Sequence, residues 1–227
     1  MTLRRLALAV LVCCLSLPAL AQAHYLWIES ETSAEARVYF GEFNEGVREK
    51  MGGRLEERAA LQLWLEQPGR SKKSLSWVKR EDHFFSALEP QAAGWLVAVD
   101  LTSEVKDYRK HDIGIVKPMF YARAAVGNRP APSQPSLELD VLPTPGQPDA
   151  VQVYFRQKAL GAAKVFVYAP NLWMQELKSD ERGKVSFTAP WPGRYVIEVI
   201  HKEEKPGEFQ GKRYEAVRHR MTLSFVR

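Results

Sequence analysis

From residue 24 onward the chain is built of short alternating or apolar runs set between turn signals. HYLWIE, ARVYFGEF, ALQLWLE, HFFSALE, GWLVAVDL and MFYARAAV are strand-length and rich in β-branched and aromatic residues. That spacing belongs to an all-β sandwich or barrel. The second half repeats it as LELDVL, AVQVYFRQ, KVFVYAP, KVSFTAP, RYVIEVIH and VRHRMTLSFV, divided by Pro145-Gly146, Glu181-Arg182-Gly183, Pro192-Gly193 and Pro206-Gly207. Residues 44–60 are polar and charged and are broken by Gly52-Gly53, the pattern of a long loop with room for one helical turn. Pro130, Pro132 and Pro135 make 128–136 the expected linker, because proline removes ladder donors and stiffens an extended chain. The expected units are therefore two β-sandwich domains, 24–127 and 137–227. The second, with about 90 residues and six or seven strands, matches an immunoglobulin-like sandwich in size.

The stretch before residue 24 carries Arg4 and Arg5, an apolar run from Leu6 to Leu17, Pro18, and the small-residue pattern Ala21-Gln22-Ala23. These are the three parts of a cleavable export signal, so residues 1–23 are expected to be removed and the product to be periplasmic. Both cysteines, Cys13 and Cys14, leave with it. The exported chain then has no disulfide framework and no thiolate for metal binding or nucleophilic attack. It carries 30 basic against 27 acidic residues, too even a balance to point to nucleic acid. No later apolar run approaches the roughly 20 residues of a membrane-spanning helix.

With thiolates gone, any transition-metal site must use histidines and carboxylates. There are five histidines: His24, His83, His111, His201 and His219. Cleavage after Ala23 would make His24 the amino terminus, where the α-amino group and ring Nδ1 can chelate one metal in a six-membered ring. The amino group titrates low enough to yield its proton to a metal near neutral pH. Copper(II) and nickel(II) favour such nitrogen donors. The alternative is that His24 merely opens an edge strand.

His201 closes RYVIEVIH, where Tyr195, Ile197, Val199 and His201 share one face by strand alternation. It is the expected second imidazole ligand, with Glu203 or Glu204 as oxygen donor; otherwise it is a strand-terminal histidine facing water. His219 alternates with Val217, Met221, Leu223 and Phe225, the pattern of a hydrogen-bonded core residue, while Arg218, Arg220, Thr222 and Ser224 are expected to face out. A hairpin turning around Pro206-Gly207 would put His201 opposite Tyr214 or Glu215 and hold His219 about 13 Å away at roughly 3.3 Å per residue. One ion could not take both. His83 and His111 are weaker candidates; Arg109 and Lys110 oppose a cation at His111.

No nucleophile elbow, phosphate-binding glycine loop, His-Glu-x-x-His pair or Cys-x-x-Cys occurs in the sequence. Trp27, Trp64, Trp95, Trp173 and Trp191 read as core and packing residues rather than a carbohydrate platform.

Two stretches carry a family resemblance. The first is AHYLWIE with VYFGEFNEGVREKMGGRLEE. The second runs from VQVYFRQKALGAAKVFVYAP through Asp180-Glu181-Arg182-Gly183 and Pro192-Gly193-Arg194-Tyr195 to His201. Together they resemble an exported family of unknown function associated with nickel and cobalt uptake, distantly related to carboxypeptidase-regulatory and transthyretin-like sandwiches. The resemblance implies a transthyretin-like fold and nickel or cobalt as the metal. It also implies an accessory role beside a membrane metal transporter or outer-membrane receptor.

The combined expectation is a non-enzymatic periplasmic protein that holds a divalent transition metal (nickel, cobalt or copper) through His24 and His201. Two alternatives stand beside it. One is a structural adaptor that binds another envelope protein through an edge strand. The other is a copper histidine-brace oxidase, which also begins with a histidine.

Overall fold

The computed structural model describes residues 24–58, 60–127 and 132–227. The expected export signal and the start of the expected linker, 128–131, lie outside the described residues. The described chain is all β apart from short 3-10 turns, and none of its helices is long and apolar enough to cross a membrane.

The frame is one nine-stranded sheet. Its order runs Met174–Lys178, Lys164–Tyr168, Arg194–Glu203, Ala216–Val226, Ile115–Val126, Gly94–Asp100, Gln62–Glu66 and Lys73–Ser74, with Lys106–Asp107 added to Ile115–Val126. The halves of the chain meet at its centre, where Ile115–Val126 and Ala216–Val226 pair in parallel from Val116↔Ala216 to Ala124↔Ser224. Parallel neighbours need a long crossover, and here the crossover is most of the second half.

A smaller sheet covers each face. Tyr25–Glu29, Glu35–Glu42, Phe84–Ala87 and Val78–Lys79, with Val47–Arg48 at the side, cover one. Leu139–Thr144, Gln147–Phe155, Lys158–Ala159 and Lys184–Ser186 cover the other. Alternation along the central strands feeds two cores. Leu96, Ala98, Phe120 and Ala122 pack with Leu26, Ile28, Val38 and Phe40. Trp95, Val97, Val99 and Tyr121 turn the other way, onto Leu139, Val153, Ile197 and Met221. Gly94–Asp100 is buried along its whole length, which is why GWLVAVD reads as a continuous apolar run rather than an alternating one.

The fold is an all-β sandwich whose two cores lie on either side of a shared sheet: the first core is drawn wholly from residues 26–126, whereas the second takes Trp95, Val97, Val99 and Tyr121 from the first half of the chain. A third cluster, Tyr25, Trp27, Tyr39, Tyr168 and Val196, ties the amino-terminal strand to the second half, with the Tyr25 and Tyr168 rings stacked 5.9 Å apart. Each large apolar side chain buried in this way contributes about 1.5–3 kcal/mol.

Two expectations change. Arg220, Thr222 and Ser224 do not face water; they are buried, because the amino-terminal sheet covers the polar face of Ala216–Val226. Thr222 Oγ1 donates to the Leu26 carbonyl (2.6 Å). The last hairpin also turns later than Pro206-Gly207. Gly207–Phe209 pairs with Lys212–Tyr214, and the tip is Gln210-Gly211, both at positive φ (51° and 75°), the backbone of a type I′ turn. That shift of the tip sets His201 directly opposite His219.

Candidate metal and ligand site

His24 immediately precedes the edge strand Tyr25–Glu29, whose register against Glu35–Glu42 begins at Tyr25↔Gly41. One more step along that register brings His24 beside Glu42. The chain then reverses through Phe43–Glu45 and Gly46, whose φ of 67° suits glycine, and pairs back as Gly41↔Arg48. Glu49 N donates to the Phe40 carbonyl (2.9 Å), which delivers the Glu49 side chain to the other edge of the imidazole. Gly41 makes this return possible: at its φ of 152° a Cβ would lie 2.1 Å from the Val47 carbonyl oxygen.

The ring is 6% exposed and rests on Phe40, with centroids 5.5 Å apart. Its Nε2 lies 2.5 Å from Glu49 Oε1, and its Nδ1 lies 3.1 Å from Glu42 Oε1. The two contacts differ in kind. The Nδ1 contact has the distance of a hydrogen bond but not its angles, so Nδ1 is a buried nitrogen without a hydrogen-bond partner. With Nε2–H donating to Glu49, the Nδ1 lone pair faces a carboxylate oxygen. A proton or a metal ion between Nδ1 and the Glu42 oxygen would satisfy both acceptors. Two cis ligands of an ion bound at about 2.1 Å are themselves about 3 Å apart.

A cavity of about 420 Å³ opens beside this ring, walled by His24, Phe40 and Phe120 and by a set of cations that includes Arg58, Arg218 and Arg220. Arg58 comes from the 44–60 loop and is held by Asp100 (Nη1–Oδ2 2.8 Å) and Ser103. Arg220 is held by Glu198 (Nε–Oε1 2.7 Å), whose other oxygen accepts from Tyr168 (2.9 Å). Arg218 makes no side-chain hydrogen bond or ion pair with another described residue, and burial beside Arg220 lowers its guanidinium to about 10. This basic wall escaped the sequence reading, because alternation alone assigned Arg218 and Arg220 to solvent.

His201 lies elsewhere. Its ring packs on Phe155 (4.4 Å) and is 6.2 Å from that of His219, which pairs with the Tyr121 hydroxyl (3.1 Å). Tyr121 and Phe120 are neighbours on one strand and point to opposite faces. Phe120 packs edge-on against Phe40, the residue beneath His24. His24 and His201 therefore stand on opposite faces of the central sheet, and one ion cannot touch both.

His219 proves to be the hydrogen-bonded core histidine its alternation implied. With Glu138 and Glu203 it offers ligand atoms within 4.8 Å of one another. Arg156 already occupies that cluster, 2.8 Å from an oxygen of each carboxylate. Burial lowers both His201 and His219. Burial pushes the Glu203 carboxyl up, but the His219 hydrogen bond and the Arg156 charge outweigh it and hold the group below its usual value. Glu204 pairs instead with Lys202 (2.9 Å).

His83 is bound to Asp82 (2.7 Å) and packs against Tyr39. His111 is exposed and lines the His24 cavity. Trp27 and Trp95 are core residues as expected, whereas Trp173 and Trp191 form an edge-on pair at the surface.

No family model matches this chain, and no curated protein matches it either.

Proposed function

We propose that the protein, cut after Ala23, binds one divalent transition-metal ion at its amino terminus and carries it within the cell envelope as an accessory to metal uptake. The observation that carries this reading is the buried His24 Nδ1, which faces Glu42 without a hydrogen bond while Glu49 holds the opposite ring nitrogen. A metal-binding histidine is commonly oriented by a carboxylate on its second nitrogen, which fixes the tautomer. Glu49 is in that position, and the tautomer it selects leaves Nδ1 free, the nitrogen that forms the six-membered chelate with an amino-terminal amine.

Amine, Nδ1 and Glu42 would supply three donors, and the adjoining cavity leaves space for water or an exchangeable ligand. Such a set suits nickel(II) or copper(II), and the family resemblance favours nickel or cobalt. His201 is left out of the site. Nothing in the donor set requires chemistry on the bound ion, so the role is cargo binding.

The test is titration of nickel(II), cobalt(II) and copper(II) into mature protein whose amino terminus has been sequenced. Wild type should take up one ion. Both His24→Ala and a form with one extra residue before His24 should bind far more weakly, the second because it removes the amine from the chelate while keeping the ring. Equal affinity in all three forms would overturn the reading.

A further inference from the structure

The cavity beside His24 is more basic than a metal cargo requires. Its walls carry five cations, Arg54, Arg58, Lys106, Arg218 and Arg220, against one carboxylate, Glu57. Behind them Asp100 holds Arg58 and Glu198 holds Arg220. Glu57 is divided between Arg58 (3.0 Å) and Lys106 (3.6 Å). Arg54 and Arg218 pair with no carboxylate among the described residues.

Two buried atoms sharpen the point. Arg58 and Arg220 are each 2% exposed, yet Arg58 Nε and Arg220 Nη1 have no hydrogen-bond partner. A buried donor left unsatisfied costs about 1–3 kcal/mol, more when it is charged, so these arginines are held with donor capacity unspent. Register explains why they converge. Arg218 lies beside Pro118 and Arg220 beside Phe120 on the neighbouring central strand, two residues apart and on one face. The 44–60 loop brings Arg58 over the Phe120 ring at 5.7 Å.

We propose that this cavity binds a small multivalent oxyanion, a di- or tricarboxylate or a phosphate, with Arg218 and Arg220 as its principal partners. A volume of about 420 Å³ lies within the range of small-molecule sites. Several cations from different elements select for more than one negative group, since a single carboxylate would leave the rest unpaired. The inference stands on the cavity's own charges and does not require a metal at His24.

The experiment is calorimetric titration of metal-free mature protein, at low ionic strength, with citrate and separately with inorganic phosphate. At least one should bind with Kd below about 1 mM, and affinity should fall as salt is added. Tighter citrate would assign the site to organic acids, and tighter phosphate to phosphate. Arg218→Gln should weaken the preferred anion by about tenfold or more. Lys106→Gln should weaken it less, and Glu57→Gln should strengthen it, with folding of each variant checked by near-ultraviolet circular dichroism.

No binding of either anion by folded wild type would overturn the proposal. So would unchanged affinity in both folded Arg218→Gln and Lys106→Gln, or binding seen only after metal is added. Nickel titration of the same preparation keeps the two readings apart, because loss of the anion site would leave metal uptake untouched.

Discussion

Arg123, from the first half of the chain, and Asp140, from the second, form a doubly bonded ion pair at zero exposure, Nε–Oδ1 at 3.1 Å and Nη2–Oδ2 at 2.9 Å. Glu66 adds a third contact to the same guanidinium at 2.8 Å. Removing one partner of a buried pair strands the other charge. Arg123→Leu should therefore cost about 3–5 kcal/mol, measured by urea unfolding. Both halves should be lost in one transition, because the pair ties the strand Ile115–Val126 to the sheet that covers it.

Glu49 does not face the proposed ion; it orients the ring that does. Glu49→Gln should lower nickel or copper affinity by about 10- to 100-fold, and Glu42→Gln should lower it at least as much by removing a donor. Titration calorimetry on the two mature variants decides the matter. If both bind as tightly as wild type, the donor set is wrong.

Acid should loosen the His201–His219 end of the sheet. Burial holds both histidines below their ordinary value of 6.5, although Glu203 at the same site acts in the other direction. Between the folded and unfolded values the unfolded chain binds more protons, so stability rises with pH across that window. It should accordingly fall as pH drops through about 6.5. Urea midpoints at about pH 7.5 and 5.5 measure this, and His201→Gln should reduce the difference. Equal midpoints in wild type would contradict the assignment.

Gly41→Ala should damage the His24 site from a distance. The new methyl would meet the Val47 carbonyl at 2.1 Å, in a backbone region that other residues rarely adopt. The return strand that carries Glu49 would have to move. A loss of about 1–3 kcal/mol in stability is expected, together with weaker metal binding than in a surface glycine variant such as Gly69→Ala, where a Cβ meets nothing within 4 Å.

The all-β class was legible because strand alternation is a local signal. What escaped was set by long-range pairing. Pro206-Gly207 looks like a hairpin tip, but the backbone reverses at Gln210-Gly211, and so His201 and His219 come together instead of standing about 13 Å apart. VRHRMTLSFV alternates as a half-exposed strand would. Its polar face is nevertheless covered, because the amino-terminal strand, nearly 200 residues away, packs onto it. Nothing in the local pattern distinguishes arginines that face water from arginines that wall a cavity.

The strand Ala216–Val226 sits in the interior of the nine-stranded sheet, with partners on both sides, one of them about a hundred residues earlier in the sequence. Contacts this distant in sequence make for slow folding. Until Ala216–Val226 docks, Ile115–Val126 on one side and Arg194–Glu203 on the other have no shared neighbour, so closure of the central sheet waits on this one strand. A substitution that weakens this one strand would therefore open the middle of the structure rather than its margin.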